Sequence, residues 1–243
     1  MGVMEYEQAW QTQGKMAAEI GAGQRPASLI LLEHPHTYTF GRSGQIENLL
    51  WDEVELSRKG ISAHWVDRGG DVTYHGPGQL VGYPLIRLNA SPLQVRGDSA
   101  RLPKADYVGY LRRLEEALIN ALAQLGVESS QIEGLTGVWV RNRTQSSNLN
   151  QSIDTGLGGE APAKIAAIGV KVDARGVTRH GFALNVNPEM SYWDGIIACG
   201  LVGYPVVGVA ELLDPVPPMN TVMDAVVAAF GKALEFEMVE KRF

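Results

Sequence analysis

"KIAAIGVKVDARGVTRHGFALNVN", residues 164–187, decides the architecture. Two apolar, β-branched runs, 164–172 and 177–187, flank the turn "DARG", which reads as an antiparallel hairpin of neighbouring strands. Working towards the N-terminus, "GVWVRN" (137–142) reads as another strand. "SLILLEH" (28–34), "TYTFGR" (37–42), "ISAHWVDR" (61–68) and "QLVGYPLIRL" (79–88) read as strands in the first third, with Pro84 where a ladder N–H is not needed. Adjacent strands mixed with helices, without a regular βαβ alternation, predict an α+β fold. The expected form is a mixed, largely antiparallel sheet flanked by helices.

The helices are read from 3.6-residue spacing. Residues 4–21 place Met4, Ala9, Trp10, Met16, Ala17 and Ile20 at helical intervals before "GAGQRP" ends the run. "NLLWDEVELSRKG" (48–60) predicts a helix closed by Gly60. "KADYVGYLRRLEEALINALAQLG" (104–126) puts Tyr107, Leu111, Leu114, Leu118 and Leu122 on one stripe, with Gly126 as the stop. "TVMDAVVAAFGKALEFEM" (221–238) predicts the last helix. Residues 89–103 and 143–161 are rich in turn-forming and polar residues and read as loops. With no internal repeat and no evident linker, residues 1–243 are expected to form a single domain.

Composition narrows the function classes. Of 243 residues, 45% are hydrophobic and 20% charged, as in ordinary globular proteins. A net charge of −6 argues against a general nucleic-acid binder. No signal peptide and no run of about 18 apolar residues is found. The expected setting is therefore cytoplasmic, with no membrane partner. The single cysteine, Cys199, excludes an intrachain disulfide and CxxC knuckles. The five histidines, His34, His36, His64, His75 and His180, lack the spacing of a zinc motif, so no metal is expected.

The chemistry concentrates in a few places. "RGGDVTYHGPGQLVGYP" (68–84) holds five glycines, and such glycines let backbone N–H groups approach a ligand closely. It is neither GxxxxGK[ST] nor a GxGxxG that opens a helix, since Gly78 leads into a strand; a flat or elongated ligand lying along a sheet fits better than a nucleotide. Cys199 lies in "IIACGLVG", where a cysteine is either a small buried hydrophobe or a nucleophile at a tight turn. The second role needs a nearby cation, and Lys164, opening an otherwise apolar strand, is either that cation or a solvent-facing strand end. His75 and His180 each precede a glycine and are candidates for lining a cleft.

Together, "RGGDVTYHGPGQLVGYPL", "KIAAIGVKV", "HGFALNVN" and "ACG", with "LLEHPHTYTFGR" and "GVWV", resemble the lipoyl(octanoyl) transferase family of lipoate biosynthesis. The resemblance runs over about residues 28–213 with its motifs in order. It implies one compact catalytic domain similar to the biotin and lipoate protein ligases. It further implies transfer of an octanoyl group from acyl carrier protein to a lysine of a lipoyl domain, the first step of endogenous protein lipoylation, through a cysteine thioester. Cys199 matches the nucleophile and Lys164 the residue that lowers its pKa. Arg68, Gly69, Gly70, Asp71, Val72, Thr73, Tyr74 and His75 match one wall of the acyl site. Ala167, Ile168 and Gly169 match a second wall, and Gly181, Phe182 and Ala183 a third. Ala198 stands where the family usually has proline.

No ATP or metal is implied, because phosphopantetheine arrives on the donor. The implied acceptors are lipoyl domains of 2-oxoacid dehydrogenases and the glycine cleavage H protein. An ATP-dependent ligase would not need Cys199, and a silent binding module leaves the Cys-Lys-Gly constellation unexplained. Because carrier proteins are acidic, as this chain is, docking calls for a local positive rim. Arg141, Arg143, Lys171, Arg175 and Arg179 are its candidates.

Overall fold

The hairpin is the centre of the molecule. In a computed structural model that describes residues 2–88, 106–141 and 162–240, the strands before it are β1 (Ser28–Leu32), β2 (Thr37–Phe40), β3 (Ser62–Trp65), β4 (Val72–His75), β5 (Gln79–Leu85), β6 (Ser130–Ile132) and β7 (Leu135–Arg141). The hairpin strands are β8 (Pro162–Val172) and β9 (Thr178–Asn185). They pair antiparallel from Ala166↔Leu184 to Val172↔Thr178, with Gly169 opposite Gly181. Around them a six-stranded sheet forms in the order β1-β5-β9-β8-β7-β6, antiparallel at every step. A second, three-stranded sheet, β3-β2-β4, carries the parallel pairing: β2 runs parallel to β3 and antiparallel to β4. The expected α+β class holds, and its mixed character resides in the small sheet. Pro84 lies beyond Gly82, the last residue of β5 paired with β9.

Each face of the large sheet is covered differently. Helices α3 (Tyr107–Gln124) and α4 (Met219–Leu234) pack on one face, burying Leu114, Leu118, Val226 and Phe230 against Ile165, Ala166, Phe182 and Leu184. Helix α1 (Tyr6–Gly21) packs on the other, with Ala9, Met16, Ala17 and Ile20 against Val81, Tyr83, Leu85 and Ala183. The small sheet has its own core of Tyr38, Phe40, Val72, Tyr74 and Ile196. Among the described residues no helix is long and apolar enough to cross a membrane.

Three sequence expectations are corrected. The helix read over 48–60 begins only at Glu53 and forms α2 (Glu53–Arg58), because the Asp52 side chain accepts from Glu55 N at 2.9 Å and caps the helix there. Before that cap, Leu49 is extended and bridges Ile196. The stripe on α3 is rotated: Tyr107 is 47% exposed, and Tyr110, Ala117 and Ala121 join Leu114, Leu118 and Leu122 inside. The last helix starts two residues early and stops at Leu234, where Glu235 takes a left-handed conformation. Segments 89–103 and 143–161, with Arg143, lie outside the described residues.

Candidate active site

Lys164 reaches the site because of one irregularity in β8. Against a single step of β7, Val138 to Trp139, β8 advances two residues, Ala166 to Lys164. Ile165 is thus the extra residue of a β-bulge, a device that re-aims a side chain. Ala163, Ile165 and Ala166 all stay in the α3/α4 core, whereas Lys164 turns to the opposite face. Strict alternation from Ala167 would have sent Lys164 into that core. Its ammonium sits 4.7 Å from the ring centroid of the fully buried Trp139 and donates to Cys199 Sγ at 3.4 Å. The chain beyond the cysteine returns to the same lysine: Lys164 N donates to Pro205 O at 2.8 Å and Val207 N to Lys164 O at 3.0 Å.

Cys199 occupies a 3-10 turn, Ala198–Gly200, with a left-handed φ of +57° that non-glycine residues rarely adopt. Asp71 anchors this turn. Its carboxylate accepts from Gln45 N at 3.0 Å, Val72 N at 2.6 Å and the Asn48 amide, and Asn48 O accepts from Ile197 N at 2.9 Å. Gly200, at φ +66°, allows the fit, since a Cβ there would lie 2.8 Å from Asp71 Oδ2.

The thiol opens onto a narrow slot between the two sheets, about 50 Å³ in volume. Residues Ala167, Gly169, Gly181 and Ala183 form its floor, while Thr73 and His75 of β4 and the Arg68–Asp71 segment stand over it. Period-2 alternation divides the contiguous stretches expected to form the walls. Val72 and Tyr74 point into the small sheet's core. Ile168 and Phe182 border the slot as expected and also pack on the α3/α4 side, where the Phe182 ring lies 5.1 Å from that of Phe230. Gly69 ties the roof to the floor strand by donating to Val170 O at 2.9 Å. A wider groove, about 480 Å³, lies on the other side of the cysteine turn between Trp193, Leu201 and Tyr204, but the thiol does not line it.

Arg68 is a buried cation across the floor, so close to Gly169 that a Cβ there would come within 3.0 Å of Arg68 Cδ. Among the described residues its guanidinium donates to neutral oxygens: Gly69 O at 3.0 Å, Thr39 O at 2.6 Å and Thr39 Oγ1 at 2.9 Å. Burial lowers its pKa, and the negative forms of Cys199 and Asp71 work in the opposite sense. Lys164 and Arg68 therefore both bring positive charge to the thiol.

Burial lowers the pKa of both histidines on the slot. Burial drives His75 well below its ordinary range. Gln79 Nε2 donates to Tyr74 O and Asn185 Oδ1, so Gln79 Oε1 accepts from His75 Nδ1–H at 2.8 Å, and His75 Nε2 accepts a hydrogen bond from the Thr39 hydroxyl at 3.3 Å. His180, also on the slot, sits at φ +57° with Nε2 2.7 Å from Asp67 Oδ1; burial lowers its pKa although the Asp67 bond opposes this. Asp67 also accepts from Lys171 at 2.6 Å and Arg179 at 2.5 Å, and these donors hold its carboxyl well below the usual range. Two of the expected rim cations thus share one internal carboxylate, while Arg141 and Arg175 remain exposed. Among the described residues no cluster of three His, Cys, Asp or Glu side chains converges as a metal site.

The sequence reading missed Tyr6, Val81 and Tyr83, which also line the slot. Tyr83 and Val81 share a face by period 2 along "LVGYPL", which was the available signal. Tyr6 arrives from α1, and nothing in its local sequence points to the slot.

The chain is similar to known proteins in sequence and in fold. Residues 5–231 match the lipoyl protein ligase A/B catalytic domain. The octanoyltransferase of Chloroflexus aurantiacus is 39% identical over 237 residues, 98% of this chain and 93% of that protein. The octanoyltransferase of Solibacter usitatus is 40% identical over 239 residues, 98% and 93% respectively. Among solved structures, the bi-partite lipoate protein ligase of Thermoplasma acidophilum shares the fold at TM-score 0.66 and 16% identity, over 99% of this chain and 85% of that one. Lipoate-protein ligase A bound with ATP does so at TM-score 0.63 and 18% identity, over 95% and 83%.

Proposed function

The chain belongs to the lipoyl protein ligase A/B catalytic-domain family and, within it, to the octanoyltransferases. From that footing we propose that its whole length forms one catalytic unit moving an octanoyl group from octanoyl-acyl carrier protein to a lysine of a lipoyl domain in the cytoplasm. The acceptors in this reading are the lipoyl domains of 2-oxoacid dehydrogenases and the glycine cleavage H protein. The observation that carries the reading is the 3.4 Å contact of Lys164 Nζ with Cys199 Sγ at the mouth of a slot floored by small residues.

The chemistry runs in two halves. Thiolate Cys199, paired with the Lys164 ammonium, attacks the carbonyl carbon of the donor thioester. The bond to the phosphopantetheine sulfur breaks, and Lys164 gives that sulfur its proton. The acceptor lysine, as a free amine, then attacks the acyl-enzyme; an amide forms, Cys199 leaves as thiolate and Lys164 takes the amine proton. One thioester is exchanged for another at little cost, and the final amide is more stable than either, so neither ATP nor a metal is required. The alkyl chain lies along Ala167 and Ala183. At about 50 Å³ the slot is tighter than an eight-carbon chain, so acylation parts its walls.

Incubation of the protein with octanoyl-carrier protein and an apo lipoyl domain, ATP omitted, tests this reading. Amide-linked octanoyl on the lipoyl domain is the expected product. Product that forms only when free octanoate and ATP are supplied would assign the chain to ligase chemistry instead.

A further inference from the structure

The slot carries a carboxylate beside the cysteine turn. Among the described residues that line the slot, Asp71 alone is acidic; Asp194 and Glu211 lie in the wider groove, which the thiol does not line. The hydrogen bonds of Asp71 are divided unevenly. Oδ1 accepts from Gln45 N at 3.0 Å and Val72 N at 2.6 Å, whereas Oδ2 accepts from the Asn48 amide alone. A carboxylate oxygen has two lone-pair sites, so Oδ2 keeps one free. Oδ2 is also the oxygen that faces the turn, since a Cβ on Gly200, the residue after Cys199, would lie 2.8 Å from it. All three donors are neutral amides, and among the described residues no cation pairs with Asp71.

The acceptor brings the charge that this carboxylate lacks. A lysine side chain reaches the site as an ammonium near neutral pH. Arg68, a cation on the same slot, repels it. A carboxylate without a counter-ion beside the nucleophile offsets that repulsion, and its free site accepts one of the three ammonium N–H bonds. The approach is open as well. Gly70, the residue before Asp71, and Gly200, against its Oδ2, are both exposed and place no side chain over the carboxylate.

We propose that Asp71 Oδ2 is the docking point for the acceptor's lysine ammonium and delivers it to the thioester on Cys199. This deepens the acyl-transfer reading above and rests on it. The docked ammonium loses one proton to solvent, and the amine attacks the carbonyl carbon. The C–N bond forms, the C–S bond breaks and Cys199 leaves as thiolate. The second surplus proton passes to Lys164, which gave up its own in the first half. The ligand class is a primary alkylammonium, so an uncharged nucleophile gains nothing from Asp71.

The test isolates the octanoyl-enzyme of wild type, Asp71→Asn and Asp71→Glu and follows its decay with apo lipoyl domain and, separately, with hydroxylamine, which is uncharged near neutral pH. The ratio of the lipoyl-domain rate to the hydroxylamine rate is expected to fall roughly 10- to 100-fold in Asp71→Asn, the scale of a hydrogen bond between charged groups. Asp71→Glu, which keeps the charge, is expected to recover part of that loss. A residue that only anchored the turn would slow both nucleophiles together, so an unmoved ratio in Asp71→Asn overturns the proposal. A ratio that falls equally in Asp71→Glu overturns it too, because shape and not charge would then be at work. If Asp71→Asn does not fold or does not acylate, carbodiimide coupling of the wild type to apo lipoyl domain, without donor, decides. An amide bond between Asp71 and the acceptor lysine supports the docking point, and its absence overturns it. A wild type that forms no octanoyl-enzyme overturns the acyl-transfer reading itself, whereas one that acylates but shows no role for Asp71 in these ratios removes the docking point alone.

Discussion

The two faces of the β8–β9 hairpin share a backbone and do opposite things. On one face Ile165, Ala166, Phe182 and Leu184 are packed by α3 and α4. On the other, Ala167, Gly169, Gly181 and Ala183 leave a slot that ends at Lys164 and Cys199. Alternation makes neighbours in sequence strangers in space, so chemistry and stability separate residue by residue along one strand. The bulge at Ile165 is what lets Lys164, three residues from Ala167, share its face.

The largest expected effect lies on the slot face. Lys164→Met keeps the stem over Trp139 but removes the ammonium, and transfer is expected to fall roughly 10²–10⁴-fold. A folded Lys164→Met protein with near wild-type turnover would contradict the separation of faces at its functional end.

Next comes the core face. Leu184→Ala, one residue from the slot residue Ala183, is expected to cost about 2–5 kcal/mol in urea unfolding. Transfer per folded molecule should change little. A stability loss below about 0.5 kcal/mol, the scale of a surface substitution, would mean that the two faces are not energetically distinct.

A third expectation concerns pH. His34 has a folded pKa of about 4, lowered by burial, against about 6.5 unfolded. The unfolded chain therefore binds more protons between these values, and stability falls as pH drops from 6.5 towards 4. The loss approaches on the order of 3 kcal/mol for this group alone. His75 and His180 are lowered too and act in the same sense. Asp67 adds a further loss only below its unfolded carboxyl range near 4. Urea midpoints measured at pH 7 and pH 5 check this, and a flat profile across that interval would contradict neutral buried histidines.

The smallest effect is at the surface. With Lys171 and Arg179 engaged by Asp67, the docking rim is left to Arg141 and Arg175 among the described residues. Transfer from carrier protein should slow only a few-fold between 50 and 300 mM salt, with Arg141→Glu lowering the rate at low salt and flattening the salt dependence. A loss of several hundred-fold would require a stronger basic surface than this one.

Much of this organisation was legible in the sequence. The hairpin, its turn at 173–176 and the absence of βαβ alternation follow from periodicity and turn residues, and they fix the fold class. Cys199 and Lys164 stood out chemically, but 35 positions apart their contact depends on a bulge, which leaves no mark in an apolar run such as "KIAAIG". The walls were legible as contiguous stretches only: alternation turned Val72 and Tyr74 into the small sheet's core, while Ile168 and Phe182 border the slot and also pack against the α3/α4 core. Gln13 illustrates the converse failure. A polar residue on the inner face of α1 looks like an exposed position, yet it is fully buried because its Oε1 accepts from the strained His180 N at 2.7 Å.

The measurement closest to the central claim is the intact mass of the protein after incubation with octanoyl-carrier protein alone, for wild type and Cys199→Ser. The account predicts a hydroxylamine-labile octanoyl adduct on the wild type, mapped to Cys199 and absent from the variant. Amide product on a lipoyl domain with no adduct at any time point, or an equal adduct on Cys199→Ser, would contradict it and leave Cys199 as a structural residue of its turn.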